Sequence, residues 1–464
     1  MWIKNPLTVF DPEADPIASA EIAGGLVVEG NKIIEHVAAG NAPTCAEYSV
    51  FDAQDLILMP GLINTHHHFY QTLTRSYRAA LNKPLFSWLT NLYPLWRHLT
   101  PEMIDISTRL ASAELMLSGC TTVGDHHYIY SDQLAHALDI QANACAELGV
   151  RAVLTRGSMS LGQSKGGLPP DTIVQTDDEI LQDSERVIGQ WHGREADTML
   201  QIALAPCSPF SVTPELMQET ATLSARHDVL LHTHLAETED ENTFCLAQFG
   251  ARPLDHIEQC GWLHKRAWFA HGIHFNDDEV RRLGQAGVGV THCPSSNMLL
   301  SSGICRVKDL QQAGVNVGLG VDGSASNDHS NLIEEVRQAL LIQRLGQHLE
   351  QEPNAASSDA ALFTHTNALD LATKGSADLL QRSSLGRLAV GSVADLALFQ
   401  LDEPRFSGVD EPLAGLVLSG ASRVSHLMID GEWKIRDRML LDCDLQALQA
   451  AHHQQALQLI SALH

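Results

Sequence analysis

The sequence predicts an α/β fold: a (β/α)8 TIM-type barrel with a small β-sandwich domain built from both chain ends. Two observations lead to this prediction. Between residues 60 and 380, short runs of β-branched residues alternate with longer helical stretches. Before and after that region, short strands joined by tight turns replace the helical stretches. The 464 residues are enough for a barrel and an accessory domain.

The N-terminal part of the sandwich is predicted to span residues 1–59. Residues 25–34 contain two β-rich runs around a Gly-Asn turn, a pattern typical of a hairpin. A strand-like run at residues 56–59 ends at a Pro-Gly pair. We expect the domain boundary at that pair.

The barrel is predicted to span residues 60–380. One candidate strand leads into His66, and helical stretches such as 101–117 and 326–345 lie between the later strands. Those later candidate strands are 121–125, 151–155, 201–205, 229–232, 267–270, 288–291 and 316–321. Eight strands alternating with helices favour a closed parallel barrel.

The C-terminal part of the sandwich is predicted to span residues 381–464. A strand-like run covers residues 393–399, and a second hairpin covers 426–435 around an Asp-Gly turn. Residues 444–464 have the pattern of a terminal helix. Because both chain ends are strand-rich, we expect them to pack together beside the barrel.

Composition excludes several classes of protein. With 30 basic and 56 acidic residues the net charge is −26, which argues against nucleic acid or an anionic membrane as a partner. The sequence contains no run of 18 consecutive apolar residues, so we expect no transmembrane helix. The first residues lack the apolar core of a secretory signal, so we expect no such signal. The nine cysteines form no CxxC pair, which favours reduced thiols and a cytoplasmic protein.

Candidate metal ligands begin at the end of the first barrel strand. In His66-His67-His68 the first and third side chains share one face of an extended chain, so both imidazoles can grip one ion. His67 points the other way and is left out. A chance histidine run explains this pair as well as a metal site does, so the decision depends on the other strand ends.

Those strand ends carry further metal-binding and acid–base residues. His234 and Glu237 end the fifth strand, His271 ends the sixth and Asp322 ends the eighth. In a barrel these ends meet on the C-terminal face, where active sites lie. Three histidines and a carboxylate suit zinc and leave room for a water. The sequence therefore predicts a metal-dependent hydrolase.

These motifs resemble the amidohydrolase superfamily. The branch that is most similar contains cytosine, guanine and S-adenosylhomocysteine deaminases and triazine hydrolases. The residues that carry the resemblance are Pro60–His68, His234–Glu237, His271-Gly272, Val321–Gly323 and the segment 386–396. Segments 68–75, 81–86, 205–211, 292–298 and 322–328 further resemble the 8-oxoguanine deaminases within that branch.

The resemblance implies which residues hold the metal. It assigns His66, His68, His234 and Asp322 to one zinc ion per subunit, with iron as the alternative. Dinuclear relatives carry a modified lysine on strand four, and residues 201–206 contain none. One metal is therefore expected. The resemblance also implies a homo-oligomer.

The expected chemistry is hydrolytic deamination of a small heterocycle. Zinc makes hydroxide available, Asp322 accepts the proton of the water, and Glu237 protonates a ring nitrogen so that the adjacent carbon becomes electrophilic. His271 orients the water or stabilises the charged intermediate. The cytidine-deaminase zinc site is excluded, because it needs PCxxC and Cys207 is followed by Ser-Pro-Phe. A non-catalytic barrel would not need Glu237 or Asp322.

Substrate recognition is predicted at Gln71 and Cys207. The Gln71 amide offers a donor and an acceptor to a lactam edge. Cys207 stands where guanine-deaminase-like relatives usually carry an arginine. The leading reaction is 8-oxoguanine to uric acid and ammonia, an activity of purine metabolism. Isocytosine, guanine and amino- or chlorotriazines remain alternatives. Whether Trp88, Trp96 or His292 touches the substrate is left open.

Overall fold

A computed structural model describes residues 1–13, 21–45, 47–349, 362–421 and 423–463. The described strands are β1 (Trp2–Lys4), β2 (Thr8–Val9), β3 (Gly25–Glu29), β4 (Lys32–Val37), β5 (Val50–Asp52), β6 (Leu56–Pro60), β7 (Leu62–Asn64), β8 (Cys120–His127), β9 (Arg151–Ser158), β10 (Leu200–Pro206), β11 (Leu231–Leu235), β12 (Ala267–His271), β13 (Gly289–His292), β14 (Asn316–Leu319), β15 (Leu396–Gln400), β16 (His426–Ile429), β17 (Glu432–Arg436) and β18 (Met439–Leu440).

The described helices alternate with the barrel strands and then follow them. They are α1 (Leu85–Trp96), α2 (Pro101–Leu117), α3 (Ala137–Leu148), α4 (Asp177–Trp191), α5 (Pro214–His227), α6 (Glu239–Phe249), α7 (Pro253–Gln259), α8 (Asp277–Ala286), α9 (Pro294–Leu299), α10 (Val307–Ala313), α11 (Leu332–Leu349), α12 (His365–Ala372), α13 (Lys374–Leu379), α14 (Pro412–Leu418) and α15 (Leu445–Ser461). A 3-10 helix, Phe69–Thr74, follows β7. Among the helices of the described residues, none combines the length and apolarity needed to cross a bilayer.

Strands β7 to β14 form the predicted barrel. They pair in sequence order and in parallel, as in a (β/α)8 fold. Strands β8 and β9 are buried along their whole length, because helices cover the outside and side chains fill the inside. The amide of Thr65 donates to the carbonyl of Leu319 at 3.1 Å, which joins the last strand to the chain leaving the first. All eight strands predicted from the sequence are confirmed.

The chain ends form two further sheets. One has the order β4-β3-β1-β5, and the other, β18-β17-β16-β15-β6-β2, mixes strands from both ends. Their facing sides share a hydrophobic core that includes Ile3, Leu26, Leu58, Leu398 and Met428. This arrangement confirms the predicted sandwich. The domain limits at residues 59 and 380 stay a prediction.

The terminal helix α15 packs on the barrel side of the molecule. Leu459 is buried in the cluster formed by α1 and the 3-10 helix, and Nε2 of His452 lies 3.0 Å from Oγ1 of Thr72. The helix therefore supports the segment that follows the first barrel strand. Its prediction over residues 444–464 is confirmed for the described part.

One predicted helix begins later than expected. The pattern predicted a helix over residues 326–345, but α11 begins at Leu332. Asp328 has a φ of 67°, a left-handed conformation that interrupts a right-handed helix. The Asn327 side chain also donates to the carbonyl of Val321 at 2.6 Å. Residues 326–331 therefore lie outside the helix, in the connection that follows Asp322.

Candidate metal and catalytic site

The four predicted metal ligands lie together at the C-terminal ends of the barrel strands. Nε2 of His66 and Nε2 of His68 each lie 3.3 Å from Oδ1 of Asp322. Nε2 of His68 lies 3.1 Å from Nε2 of His234. All four side chains are buried. The side chains of His66, His68 and Asp322 are thus placed to hold one ion, and His234 adjoins this group through its contact with His68.

Hydrogen bonds to the main chain fix two of the imidazole rings. Nδ1 of His68 lies 2.7 Å from the carbonyl oxygen of His126, and Nδ1 of His234 lies 2.6 Å from that of Cys207. A carbonyl only accepts, so each Nδ1 carries the proton. Each Nε2 is then left with a lone pair, as a metal-binding imidazole requires.

His66 is held by another histidine. Its Nδ1 lies 2.8 Å from Nε2 of His232, and Nδ1 of His232 faces the carbonyl of Trp268 at 3.0 Å. The proton between the two rings therefore belongs to His66. Nε2 of His66 is buried and has no hydrogen-bond partner among the described residues. A cation would satisfy this atom, so the residues present fit a metal.

The charges of the cluster also suit a divalent ion. Burial lowers the pKa of His66 and of His234 well below the usual value, so both rings are neutral at pH 7. Burial alone would raise the pKa of Asp322, but its contacts with His66 and His68 hold that pKa well below its usual value. Neutral imidazoles and one carboxylate form a set that zinc prefers.

The backbone at the site adopts unusual conformations. Ala236, His271 and Asp322 have φ values of 53°, 74° and 64°, a left-handed region that side-chain-bearing residues disfavour. Such outliers cluster where a fold must aim side chains at one point. The carboxylate of Asp322 is held by the amide of Gly323 at 2.6 Å and the hydroxyl of Ser326 at 3.3 Å.

Glu237 and His271 flank the ligand set. Nε2 of His271 lies 3.5 Å from Oε2 of Glu237 and 3.9 Å from Oδ2 of Asp322, while its Nδ1 faces Oδ1 of Asn297 at 2.9 Å. Burial raises the pKa of Glu237 to about 8, and the negative charge of Asp322 adds to the shift. Glu237 is therefore a protonated acid at neutral pH, as a proton donor must be.

A second buried acid supports Glu237. Oε2 of Glu241 accepts a hydrogen bond from the amide of Glu237 at 2.9 Å. Burial raises the pKa of Glu241 to about 8 as well. Because Glu241 holds the main chain rather than the carboxyl of Glu237, it fixes the turn that presents the acid to the cavity.

A cavity opens above this cluster. Its walls include the predicted Gln71 and Cys207, and also Trp88. The remaining lining residues are His68, Leu85, Leu89, Tyr93, Tyr128, Phe210, His234, Glu237, His271, Leu300, Asp322 and Ser326. This mixture of hydrophobic and aromatic walls with a few polar groups is typical of small-molecule sites.

Trp96 and His292 do not line the cavity. Trp96 is fully buried behind it, where its Nε1 donates to Oγ1 of Thr74 at 3.3 Å. Nε2 of His292 lies 3.5 Å from Nε2 of Gln343. Of the three residues left open by the sequence, Trp88 alone reaches the cavity.

The recognition residues predicted from the sequence are both neutral. Oε1 of Gln71 is buried without a hydrogen-bond partner among the described residues. It packs against Gly323, where an added Cβ would lie 2.0 Å from Oε1. Burial raises the pKa of the Cys207 thiol to about 12, so no thiolate faces the substrate at neutral pH. These groups suit an uncharged, polar ring edge.

From the sequence we did not single out two histidines that lie near the proposed ligands. His232 and His234 repeat the spacing of His66 and His68 on a buried strand, a signal that was present but unused. His126 lies one residue before the end of the second barrel strand and stacks on His234, with ring centroids 4.8 Å apart. Ring nitrogens of His66, His126 and His232 also lie within 4.8 Å of one another. The hydrogen bond between His66 and His232 explains why these two rings lie close together.

The chain matches the amidohydrolase family over residues 57–434. It is also 54% identical over 460 residues to 8-oxoguanine deaminase from Pseudomonas aeruginosa. That match covers 99% of this chain and 99% of the relative.

Solved structures of zinc enzymes have the same fold. The zinc complex of atrazine chlorohydrolase from Arthrobacter aurescens superposes with a TM-score of 0.89 at 29% identity, covering 99% of both chains. An adenosine deaminase from Xanthomonas campestris with bound zinc gives a TM-score of 0.85 at 26% identity, covering 98% of this chain and 97% of that one. The similarity thus extends over the barrel and the end sheets.

Proposed function

Because the chain belongs to the amidohydrolase family, as its motifs predicted, we propose that it converts 8-oxoguanine and water to uric acid and ammonia. The chain is a hydrolytic deaminase, because it is 54% identical over nearly its whole length to an enzyme of that class. The observation that carries the substrate proposal is this 54% identity over 99% of both chains, combined with a cavity lined by the neutral side chains of Gln71 and Cys207.

The proposed ligands of the metal are His66, His68, His234 and Asp322, with one ion per subunit. Zinc is the proposed ion, since two structural relatives were solved with it, and iron is the alternative. When bound, zinc supplies a hydroxide nucleophile at neutral pH, because it lowers the pKa of water from about 15.7 to about 7.

In the proposed mechanism, Asp322 and Glu237 each transfer a proton. Asp322 takes the proton of the attacking water, and Glu237 gives its proton to the ring nitrogen beside the amine-bearing carbon. The carbon becomes tetrahedral, and His271 stabilises the charge that develops there. Asp322 then returns its proton to the amine, the C–N bond breaks and ammonia leaves. The remaining hydroxyl proton passes to Glu237, which leaves a carbonyl at that carbon and restores the acid.

Glu237 is suited to the role of acid by its surroundings. Its carboxyl is buried, its pKa is raised to about 8, and it lies 3.5 Å from His271 on the same wall as the ligands. Protonation of the ring nitrogen makes the attacked carbon electrophilic. A purine needs this activation because its exocyclic amine is a poor leaving group.

Gln71 and Cys207 are proposed to bind the amide edge of the substrate. The unpartnered Oε1 of Gln71 accepts from a ring N–H, and the thiol of Cys207 gives the neutral wall opposite. Isocytosine carries the same amino and oxo groups on one ring and is the second candidate substrate. Guanine follows, and the similarity to atrazine chlorohydrolase makes a triazine the last candidate.

The setting of the enzyme is also proposed. Among the described residues all nine cysteines are free, which supports a cytoplasmic location, and the role in purine metabolism follows from the proposed substrate. The net charge of −26 argues against nucleic acid as a partner. The family resemblance supports a homo-oligomer.

The test is ammonia release by the purified, zinc-loaded protein. We expect the highest kcat/KM on 8-oxoguanine, a lower value on isocytosine and guanine, and little activity on cytosine or an aminotriazine. Protein stripped by a chelator is the control and should be inactive until zinc is returned. Activity on cytosine alone, or full activity after stripping, would overturn the proposal.

A further inference from the structure

Tyr93 on helix α1 contributes an uncommitted hydroxyl to the cavity. The residue lines the cavity and is fully buried. Its hydroxyl has no hydrogen-bond partner among the described residues. Buried polar groups in native proteins are almost always paired, so an unpaired one that faces a ligand cavity needs a partner from the ligand.

The rest of this helix face offers nothing else that is polar and free. Leu85 and Leu89 are apolar. Nε1 of Trp88 is already used, because it donates to the carbonyl of Ala325 at 3.2 Å. The cavity wall formed by α1 is therefore hydrophobic except for the hydroxyl of Tyr93.

The proposed reaction fixes how a purine must lie. The carbon that bears the amine has to reach Glu237 and the ligand cluster. In 8-oxoguanine that carbon is C2, and the C8 carbonyl lies at the opposite end of the molecule, on the five-membered ring. The five-membered ring therefore extends away from the ligands, toward the walls that do not bind the metal.

We infer that the Tyr93 hydroxyl donates a hydrogen bond to the C8 carbonyl of the substrate and so determines specificity for the oxidised purine. This inference rests on the proposed function. Guanine has a C–H group at C8, and isocytosine lacks the five-membered ring altogether. Tyr93 thus distinguishes the leading substrate from the alternatives that share its amino and oxo edge.

The protonation state of Tyr93 agrees with a donor role. Burial raises the pKa of Tyr93 well above its usual value, so the phenol keeps its proton at any pH where the enzyme works. A neutral hydroxyl in a hydrophobic wall binds a carbonyl well, since no competing water weakens the contact.

The experiment compares Tyr93→Phe with the wild type as zinc-loaded enzymes. On 8-oxoguanine we expect kcat/KM to fall about tenfold or more, the cost of a lost buried hydrogen bond. On guanine and isocytosine we expect a change of less than about threefold, because neither presents a carbonyl to position 93. Tyr130→Phe is the matched control, since its hydroxyl is also buried without a partner among the described residues, while its ring lies under the Arg156 guanidinium and does not line the cavity.

A binding measurement separates recognition from chemistry. Uric acid carries the C8 carbonyl and xanthine does not, so the ratio of their inhibition constants reports this contact directly. We expect Tyr93→Phe to remove most of the wild-type preference for uric acid over xanthine, and Tyr130→Phe to keep it.

The outcomes are distinguishable. An equal loss on all three substrates, or no loss on 8-oxoguanine, would overturn the role of Tyr93 and leave the proposed function standing. A wild-type enzyme without activity on 8-oxoguanine would overturn the proposed function, and the inference with it.

Discussion

The ring of His232 holds the ring of His66, with 2.8 Å between Nε2 of the first and Nδ1 of the second. Nδ1 of His232 donates to the carbonyl of Trp268, so Nε2 of His232 is the acceptor and the proton between the rings stays on His66. A residue outside the proposed ligand set thus orients a ligand and sets its tautomer. Such outer partners tune metal affinity as strongly as many direct ligands.

His232→Phe should weaken zinc binding about 10- to 100-fold, the usual cost of losing an outer partner of a ligand. The phenyl ring keeps the stacking on Trp268, whose ring centroid lies 4.2 Å away, but gives His66 no acceptor. Competition with a chromophoric chelator measures the affinity. His292→Phe is the control, because that histidine is also buried on a barrel strand and does not line the cavity. Unchanged affinity in His232→Phe would contradict the role given to His232.

Glu237→Gln should lower kcat by about 10²- to 10⁴-fold while the metal stays bound, since the amide cannot protonate the ring. Ammonia release and metal analysis of the same sample check both parts. Glu239→Gln is the control, since this nearby carboxylate is exposed and pairs with His274 at 3.0 Å, away from the ligands. Wild-type turnover in Glu237→Gln would exclude the carboxyl as the proton donor.

The pH profile should fall on its alkaline side. An acid catalyst must carry its proton, so activity is present below the pKa of Glu237 and is lost as the pH rises through it. Burial raises that pKa to about 8, and a cation on the ligands moves it back toward neutrality. Measuring kcat of the zinc enzyme from neutral to alkaline pH tests this. A rate that rises steadily over that range would refute the assignment.

Arg151→Met should destabilise the fold by about 3–5 kcal/mol, since it leaves a buried carboxylate without its partner. Arg151 is fully buried between the barrel and the end sheet, with its Nε 3.0 Å from Oδ2 of Asp395. Urea unfolding measures the change. The exposed pair Arg226–Glu185 gives the control, and Arg226→Met should cost less than about 1 kcal/mol. Equal losses in the two variants would contradict the structural role of Arg151.

Much of the site could be predicted from the sequence because parallel strands end on one face. His66, Glu237, His271 and Asp322 each follow a recognisable buried strand, so topology alone brings them together. The strand pattern predicts this convergence without any information about how the loops fold. The hairpins at the chain ends were equally visible, because Gly-Asn and Asp-Gly turns have a defined backbone geometry.

The walls of the cavity could not be predicted in the same way. Helix α1 lies in a long connection, and its position depends on contacts distant in sequence. Trp88 and Trp96 are two helical turns apart on one face, yet the first lines the cavity and the second packs on Tyr70 at 5.2 Å. Tyr93 was missed for the same reason. Periodicity identifies the buried face of a helix but not which of its residues meets a ligand.

Position 207 contacts the proposed ligand His234 and the cavity with different atoms. The carbonyl of Cys207 accepts from Nδ1 of His234, while the thiol lines the cavity. Every amino acid has that carbonyl, so the ligand keeps its support whatever side chain stands there. Substrate preference can therefore drift by point substitution at this position without loss of the ion, and a lineage that keeps its metal chemistry is free to explore new heterocycles.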